Sequence, residues 1–140
     1  MQTRSMLTLE DARRMAEAAA AEAVRHQWPV TIAICDDGGH LLWLQRLDGA
    51  SPISAEIAAG KARTAGVSRR PSKAFEEMVN QGRYAALSMP ITALEGGEPV
   101  IVDGTCIGAV GVSGVKPGQD AQVAQAGVAA LLAPQAKAAA

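Results

Sequence analysis

Two short turns of the Asp/Gly type, each set between β-branched and apolar runs, do most to limit what this chain can form. The first is Asp36-Asp37-Gly38-Gly39, between Val30-Thr31-Ile32-Ala33-Ile34-Cys35 and His40-Leu41-Leu42-Trp43-Leu44-Gln45-Arg46. The second is Asp103-Gly104, between Pro99-Val100-Ile101-Val102 and a run from Thr105 to Ser113. Asp and Gly tolerate the backbone angles that tight hairpin loops demand, so each segment reads as a β-hairpin. Two tight hairpins imply a largely antiparallel sheet. A further strand is expected from Met89 to Leu94, where Pro90 indicates an edge or an irregular start. Glu95-Gly96-Gly97-Glu98 then turns the chain. Both strands of the first hairpin are nearly continuous in hydrophobicity, which implies a sheet covered on both faces.

Helical signals alternate with these strands. Thr8 and Asp11 form a capping box ahead of a helix expected from Leu9 to His26, with Leu9, Ala12, Ala16, Ala19, Ala20 and Ala23 on one face. Trp28-Pro29 ends it, because the residue before a proline is driven out of the α region. Ser51-Pro52 supplies a cap and a first-turn proline for a second helix, Pro52 to about Val67. A short helix from Lys73 to Gln81 and a last one from Pro117 to Leu132 complete the set. Pro134 stops the last helix, and residues 134–140 are expected to fray. The order α-ββ-α-(α)-βββ-α makes an α+β fold. Its 140 residues suit one domain spanning 1–140, with a core from about 7 to 132.

The hydrophobic fraction of 49% needs discounting, because 29 residues are alanine while aromatics make up only 3%. Small side chains bury little area each but allow close approach. They concentrate in the second helix as Ala55, Ala58, Ala59, Gly60, Ala62, Ala65 and Gly66. A mid-helix glycine costs up to ~1 kcal/mol against alanine, so this face implies that something comes close to the backbone. A partner helix across an oligomer interface and a flat ligand are the two readings.

Charge and cysteine content exclude several classes. Thirteen basic against fourteen acidic residues give no basic footprint for nucleic acid. No segment approaches the ~20 apolar residues of a membrane span, and the N-terminal stretch is too charged for an export signal. A cytoplasmic setting is the expectation. Cys35 and Cys106 lack Cys-x-x-Cys spacing and read as reduced, half-buried thiols, with no metal site implied.

The residues able to carry chemistry are few. His26, at a helix end, and His40, opening a strand, are the only groups that ordinarily titrate near neutrality. Gly111-Val112-Ser113-Gly114 lacks the Gly-x-Ser-x-Gly spacing of a nucleophile elbow. Ser113, Gly114 and the following helix start could instead present N–H groups to an anion, with Asp120 competing for the same positive end. Lys61 and Arg63, with Glu56 before them on the Ala/Gly helix, are either a solvated face or the cations for an anionic ligand.

Taken in order, Leu7-Thr8-Leu9-Glu10-Asp11-Ala12, Asp36 to Leu41, Lys61-Ala62-Arg63-Thr64-Ala65, Gly96-Gly97-Glu98-Pro99-Val100, Asp103-Gly104, Ile107 to Gly114 and Gln119-Asp120 resemble the GlcG/HbpS-like family of haem-degrading or haem-binding domains. The resemblance runs from about Leu7 to Leu132. It implies a profilin-like α-β-α arrangement with a mainly antiparallel five-stranded sheet, and homo-oligomers from dimers to octamers. Some members bind haem; others are encoded beside enzymes of small-acid or aromatic catabolism. The expectation is therefore an oligomeric protein binding haem or a related small anionic ligand, with haem the one implied cofactor. The ligand would lie against the Ala/Gly helix, with Lys61 and Arg63 pairing its carboxylates and Gly96, Gly97, Ser113 and Gly114 beside it. His26 or His40 would be the axial ligand, and Trp28 and Trp43 the aromatic walls. The alternative is a hydrolase, deaminase or isomerase of a carboxylate intermediate, with acid–base work from Glu56, His40 or Asp120.

Overall fold

The computed structural model describes residues 1–134. In chain order the elements are α1 (Leu9–Arg25), β1 (Thr31–Asp36), β2 (Leu41–Arg46), α2 (Ile53–Ser68), α3 (Lys73–Asn80), a 3-10 turn (Tyr84–Ser88), β3 (Gly97–Val102), β4 (Thr105–Ser113) and α4 (Pro117–Leu132). The fold is α+β. From residue 135 onward the expected frayed tail lies outside the described residues. The four strands form one antiparallel sheet in the order β2-β1-β4-β3.

The five-stranded expectation is corrected to four among the described residues. Met89 to Leu94 is not a strand, because its polar backbone is satisfied elsewhere. Thr92 N–H donates to Thr64 Oγ1 at 2.8 Å, and Pro90 O accepts from Arg63 Nη1 at 2.6 Å. Ile91 and Leu94 N–H close tight local turns onto Met89 O and Thr92 O. These contacts lay the segment along α2 and take the Ile91, Thr92 and Leu94 N–H groups that a ladder would need.

Period-2 alternation decides which layer each strand residue joins. Ile32 and Ile34 of β1, with Val110 and Val112 of β4, face α1 and α4, where Met15, Ala19, Ala23, Val123 and Ala124 meet them. Ala33, Cys35 and Ala109 face the other way, onto Ala58, Ala62 and Ala65 of α2. Both faces of β1 are therefore covered, as its apolar run implies. β2 departs from that expectation: it is an edge strand, with Leu41 and Leu44 about half exposed.

Ala58, Ala62, Ala65 and Gly66 of α2 meet the chain's own sheet. A methyl group at Gly111 would lie 2.2 Å from Ala58 O and 2.4 Å from Ala62 N, so the α2 backbone rests directly on β4. Cys35 Sγ approaches Gly66 in the same way and donates to Ala62 O at 3.2 Å. On the opposite side of α2, Gly60 makes room for Thr92.

The local signals act as follows. Thr8 N–H bonds Asp11 Oδ2 at 2.9 Å and Asp11 N–H bonds Thr8 Oγ1 at 3.1 Å, completing the capping box. Pro52 has helical angles, but α2 lacks the expected side-chain cap. Ser54 instead donates to Ser51 O and bonds Thr31 Oγ1. Asp103 and Gly104 take φ of 49° and 77°, the pair of positive angles that a two-residue hairpin loop requires. A register shift between Val100 and Ile101 inserts Ile107 as a bulge in β4. Ile107 thereby joins the α1 layer while Cys106 turns to Gly66 of α2.

Candidate functional site

The N-terminal end of β1 gathers an apolar cleft and an imidazole. At the end of α1, Trp28 N–H reaches back to Ala23 O and Gln27 N–H to Val24 O. Gln27 sits between them at φ 59°, so the helix ends in a Schellman motif with glutamine in the left-handed position. That closure holds Trp28 beside His26: their rings stack at 4.2 Å between centroids and 15° between planes. His26 Nε2 lies 3.2 Å from Gln122 Nε2 of α4 and 3.7 Å from Glu22 Oε2. The Glu22 carboxyl is held below its ordinary value by the Gln122 amide and then by Arg25. Below this group is a cavity of about 610 Å³ lined by Val24, Gln27, Trp28, Pro29, Leu47, Asp48 and Gly49. Leu47 is fixed there by its N–H bond to Val30 O at 3.0 Å.

His40 lies at the other end. Its side chain is 82% exposed, with Nδ1 3.4 Å from Asp36 Oδ1 at the first hairpin turn. The six residues of β1 separate the two histidines, a span of about 17 Å at ~3.3 Å per residue. Within one chain they cannot ligate the same iron.

Lys61 and Arg63 do not form a joint clamp. Two positions apart on a helix, they point to nearly opposite sides. Lys61 is 3% exposed and donates to Asp120 Oδ2 at 3.0 Å and Val112 O at 2.9 Å. Burial raises Asp120 above the ordinary carboxylate range, and the Lys61 charge offsets this only in part. Arg63 is on the exposed side, bonded to Pro90 O, with its stem against Gly39. Gly96 and Gly97 make room for the ion pair. A methyl at Gly96 would meet Lys61 Nζ at 2.8 Å, and one at Gly97 would meet Lys61 O at 2.2 Å.

The start of α4 is likewise filled from within. Asp120 Oδ1 accepts Val115 N–H at 3.1 Å and Gln119 Oε1 accepts Lys116 N–H at 3.3 Å. Ser113 is buried, and Gly114, at φ 146°, lets β4 leave across Pro29 and Val30. Glu56 is exposed on α2, His40 stands at the hairpin turn, and Asp120 lies buried against Lys61. The three do not meet.

Both cysteines are free and buried, Cys35 completely and Cys106 at 7% exposure. Burial, and then the charge of Asp36, pushes the Cys35 thiol up to about 12. Among the described residues no helix is long and apolar enough to cross a membrane. Sequence reasoning missed Leu47 of the cleft and Gln122 beside His26. Leu47 follows the β2 strand without a pattern of its own, and Gln122 meets His26 only because α4 packs beside α1.

Known proteins carry the same fold and much of the same sequence. Protein GlcG of Escherichia coli strain K12 is 52% identical over 114 residues, covering 81% of this chain and 85% of that protein. The crystal structure of HbpS superposes with a TM-score of 0.85 at 34% identity, covering 96% of this chain and 95% of the other. A structure described as the PduOC:heme complex superposes with a TM-score of 0.81 at 29% identity, covering 90% and 95%. Residues 7–129 match the family described as haem degrading protein HbpS-like. With most of its length matched in sequence and in fold, the chain belongs to the HbpS-like family.

Proposed function

We propose that this chain binds haem or a related tetrapyrrole in the cleft below Trp28, with His26 as the axial ligand. The observation that carries the reading is its likeness, over 90% of the chain, to a structure described as a haem complex. The residues at the cleft fit such a group. A cavity of about 610 Å³ is in the range of small-molecule and cofactor pockets, and its lining is mostly apolar with a flat indole wall. His26 is not part of that lining but stacks on its indole wall, and neutral imidazole is a common haem ligand. Gln122 and Glu22 both lie against His26 Nε2, which leaves Nδ1 as the nitrogen to meet an iron. Lys61 and Arg63 lie outside this lining, whose one charged residue is Asp48. Haem bound here would supply a redox-active iron.

The same reading includes homo-oligomers and a cytoplasmic setting. The free β2 edge, with Leu41 and Leu44 half exposed, supports association, because such an edge is a template for strand pairing. Two free thiols suit a reducing compartment. Haemin titration tests the central proposal: a Soret band shifted from free haemin should saturate at one haem per chain. Trp28→Ala should weaken binding by about 10-fold, as expected for losing an aromatic wall. An unsaturable, nonspecific spectrum would overturn the reading.

A further inference from the structure

The end of the sheet away from Trp28 holds a second cavity, of about 420 Å³. Gln2 and Arg4 of the N-terminal segment, Asp37 of the first hairpin turn, Arg69 at the end of α2, and Thr105 and Cys106 of β4 bound it. Each is put there by a local backbone rule. An Arg4–Asp37 ion pair ties the N-terminal segment to the hairpin turn. Arg69 takes the left-handed position that ends α2, at φ 64°. The β4 bulge brings Cys106 under Gly66.

The charges at this cavity favour an anion. Two guanidinium groups face one carboxylate, and among the described residues Arg69 makes no ion pair. A helix C-terminus ordinarily opposes an anion. Here Ala65 O accepts the Arg69 N–H and Gly66 O accepts the Cys106 thiol, so that opposition is reduced. The Gln2 amide and the Thr105 hydroxyl add neutral donors. We propose that this cavity is a binding site for a small organic carboxylate, held by Arg69 and by Arg4 in competition with Asp37. It is separate from the cleft below Trp28, and its volume of about 420 Å³ holds more than a lone inorganic ion.

Cys106 lines the cavity at 7% exposure, against 0% for Cys35, so its slow alkylation reports on the cavity. Iodoacetamide alkylates a thiol by forming a C–S bond as iodide leaves, with the thiol proton passing to solvent. Cys35, completely buried and shifted to about 12, stays protonated and unlabelled. Peptide mass spectrometry then follows Cys106 alone, while amide NMR shifts at Arg69 and Thr105 read the same titration without the thiol. Succinate should slow labelling of Cys106 saturably and move both amides, whereas its neutral diamide should do neither. Arg4→Gln and Arg69→Gln should each weaken the succinate effect by about 10-fold or more, the loss of a charge-assisted hydrogen bond. Asp37→Asn, which releases Arg4, should strengthen it. Equal effects of succinate and its diamide, an unchanged effect in the Arg4→Gln/Arg69→Gln variant, or a response to inorganic phosphate alone would each overturn the assignment. Failure of haemin to bind below Trp28 would leave this site untouched.

Discussion

Lys61 shows how much the role of a single residue depends on its distant partner. Its ammonium and the Asp120 carboxylate are each about 4% exposed or less, and they sit 3.0 Å apart. Removing one member leaves a buried, uncompensated charge, so Lys61→Met is expected to cost about 3–5 kcal/mol in urea denaturation. Lys61→Met with Asp120→Leu should recover most of that loss, because an apolar pair of similar volume carries no desolvation cost. A double variant as unstable as the single one would show that the pair has a structural role beyond charge compensation. Gly111 is the second decisive residue. Its missing methyl group is what allows the α2 backbone to lie on β4, and both atoms in the way are main-chain atoms. Gly111→Ala is therefore expected to destabilise by about 3 kcal/mol, measured in the same way, since neither wall can yield by changing a rotamer.

Between elements, the contact of β3 with α4 has its own pH signature. Burial raises the Glu98 carboxyl above its ordinary value of 4.5, and the Gln125 amide, 3.3 Å away, offsets this only in part. A carboxyl raised in the folded state favours the protonated form there. Its stabilising contribution is full below 4.5 and is lost as pH rises through the folded value. Glu98→Gln keeps an acceptor for Gln125 without the charge. It should be at least as stable as the parent at pH 7, with a flatter stability profile from 4.5 to neutrality. A variant less stable than the parent at pH 7 would show that the charged form is favoured there.

The same scale separates what was legible in the sequence from what was not. Both hairpins, the capping box and the proline-led starts of α2 and α4 were legible, because turn and cap chemistry acts within a few residues. Met89 to Leu94 was not, because Thr64, 28 residues away in sequence, takes its Thr92 N–H. The Ala/Gly face of α2 was correctly read as a place of close approach. What approaches it is Gly111, 49 or more residues further along the chain than either of its α2 neighbours, and no local pattern names it. His26 was visible as a helix-end imidazole, but its stack on Trp28 depends on the left-handed Gln27, a residue type that rarely signals such a turn.

For the whole molecule, three layers place the candidate sites at opposite ends of one four-stranded sheet. The cleft of Trp28 and Leu47 lies at the start of β1, and the Arg4–Arg69 cavity lies at its finish. Membership of the HbpS-like family fits this architecture, and the likeness to a haem complex directs attention to the first end. In the proposed haem site His26, and not His40, supplies the iron ligand. Haemin titration of His26→Ala and His40→Ala, read as the position and saturation of the Soret band, distinguishes the two histidines. The expected result is a shifted or lost Soret band in His26→Ala and the parent spectrum in His40→Ala. A parent spectrum in His26→Ala, or loss of the band in His40→Ala alone, would contradict it.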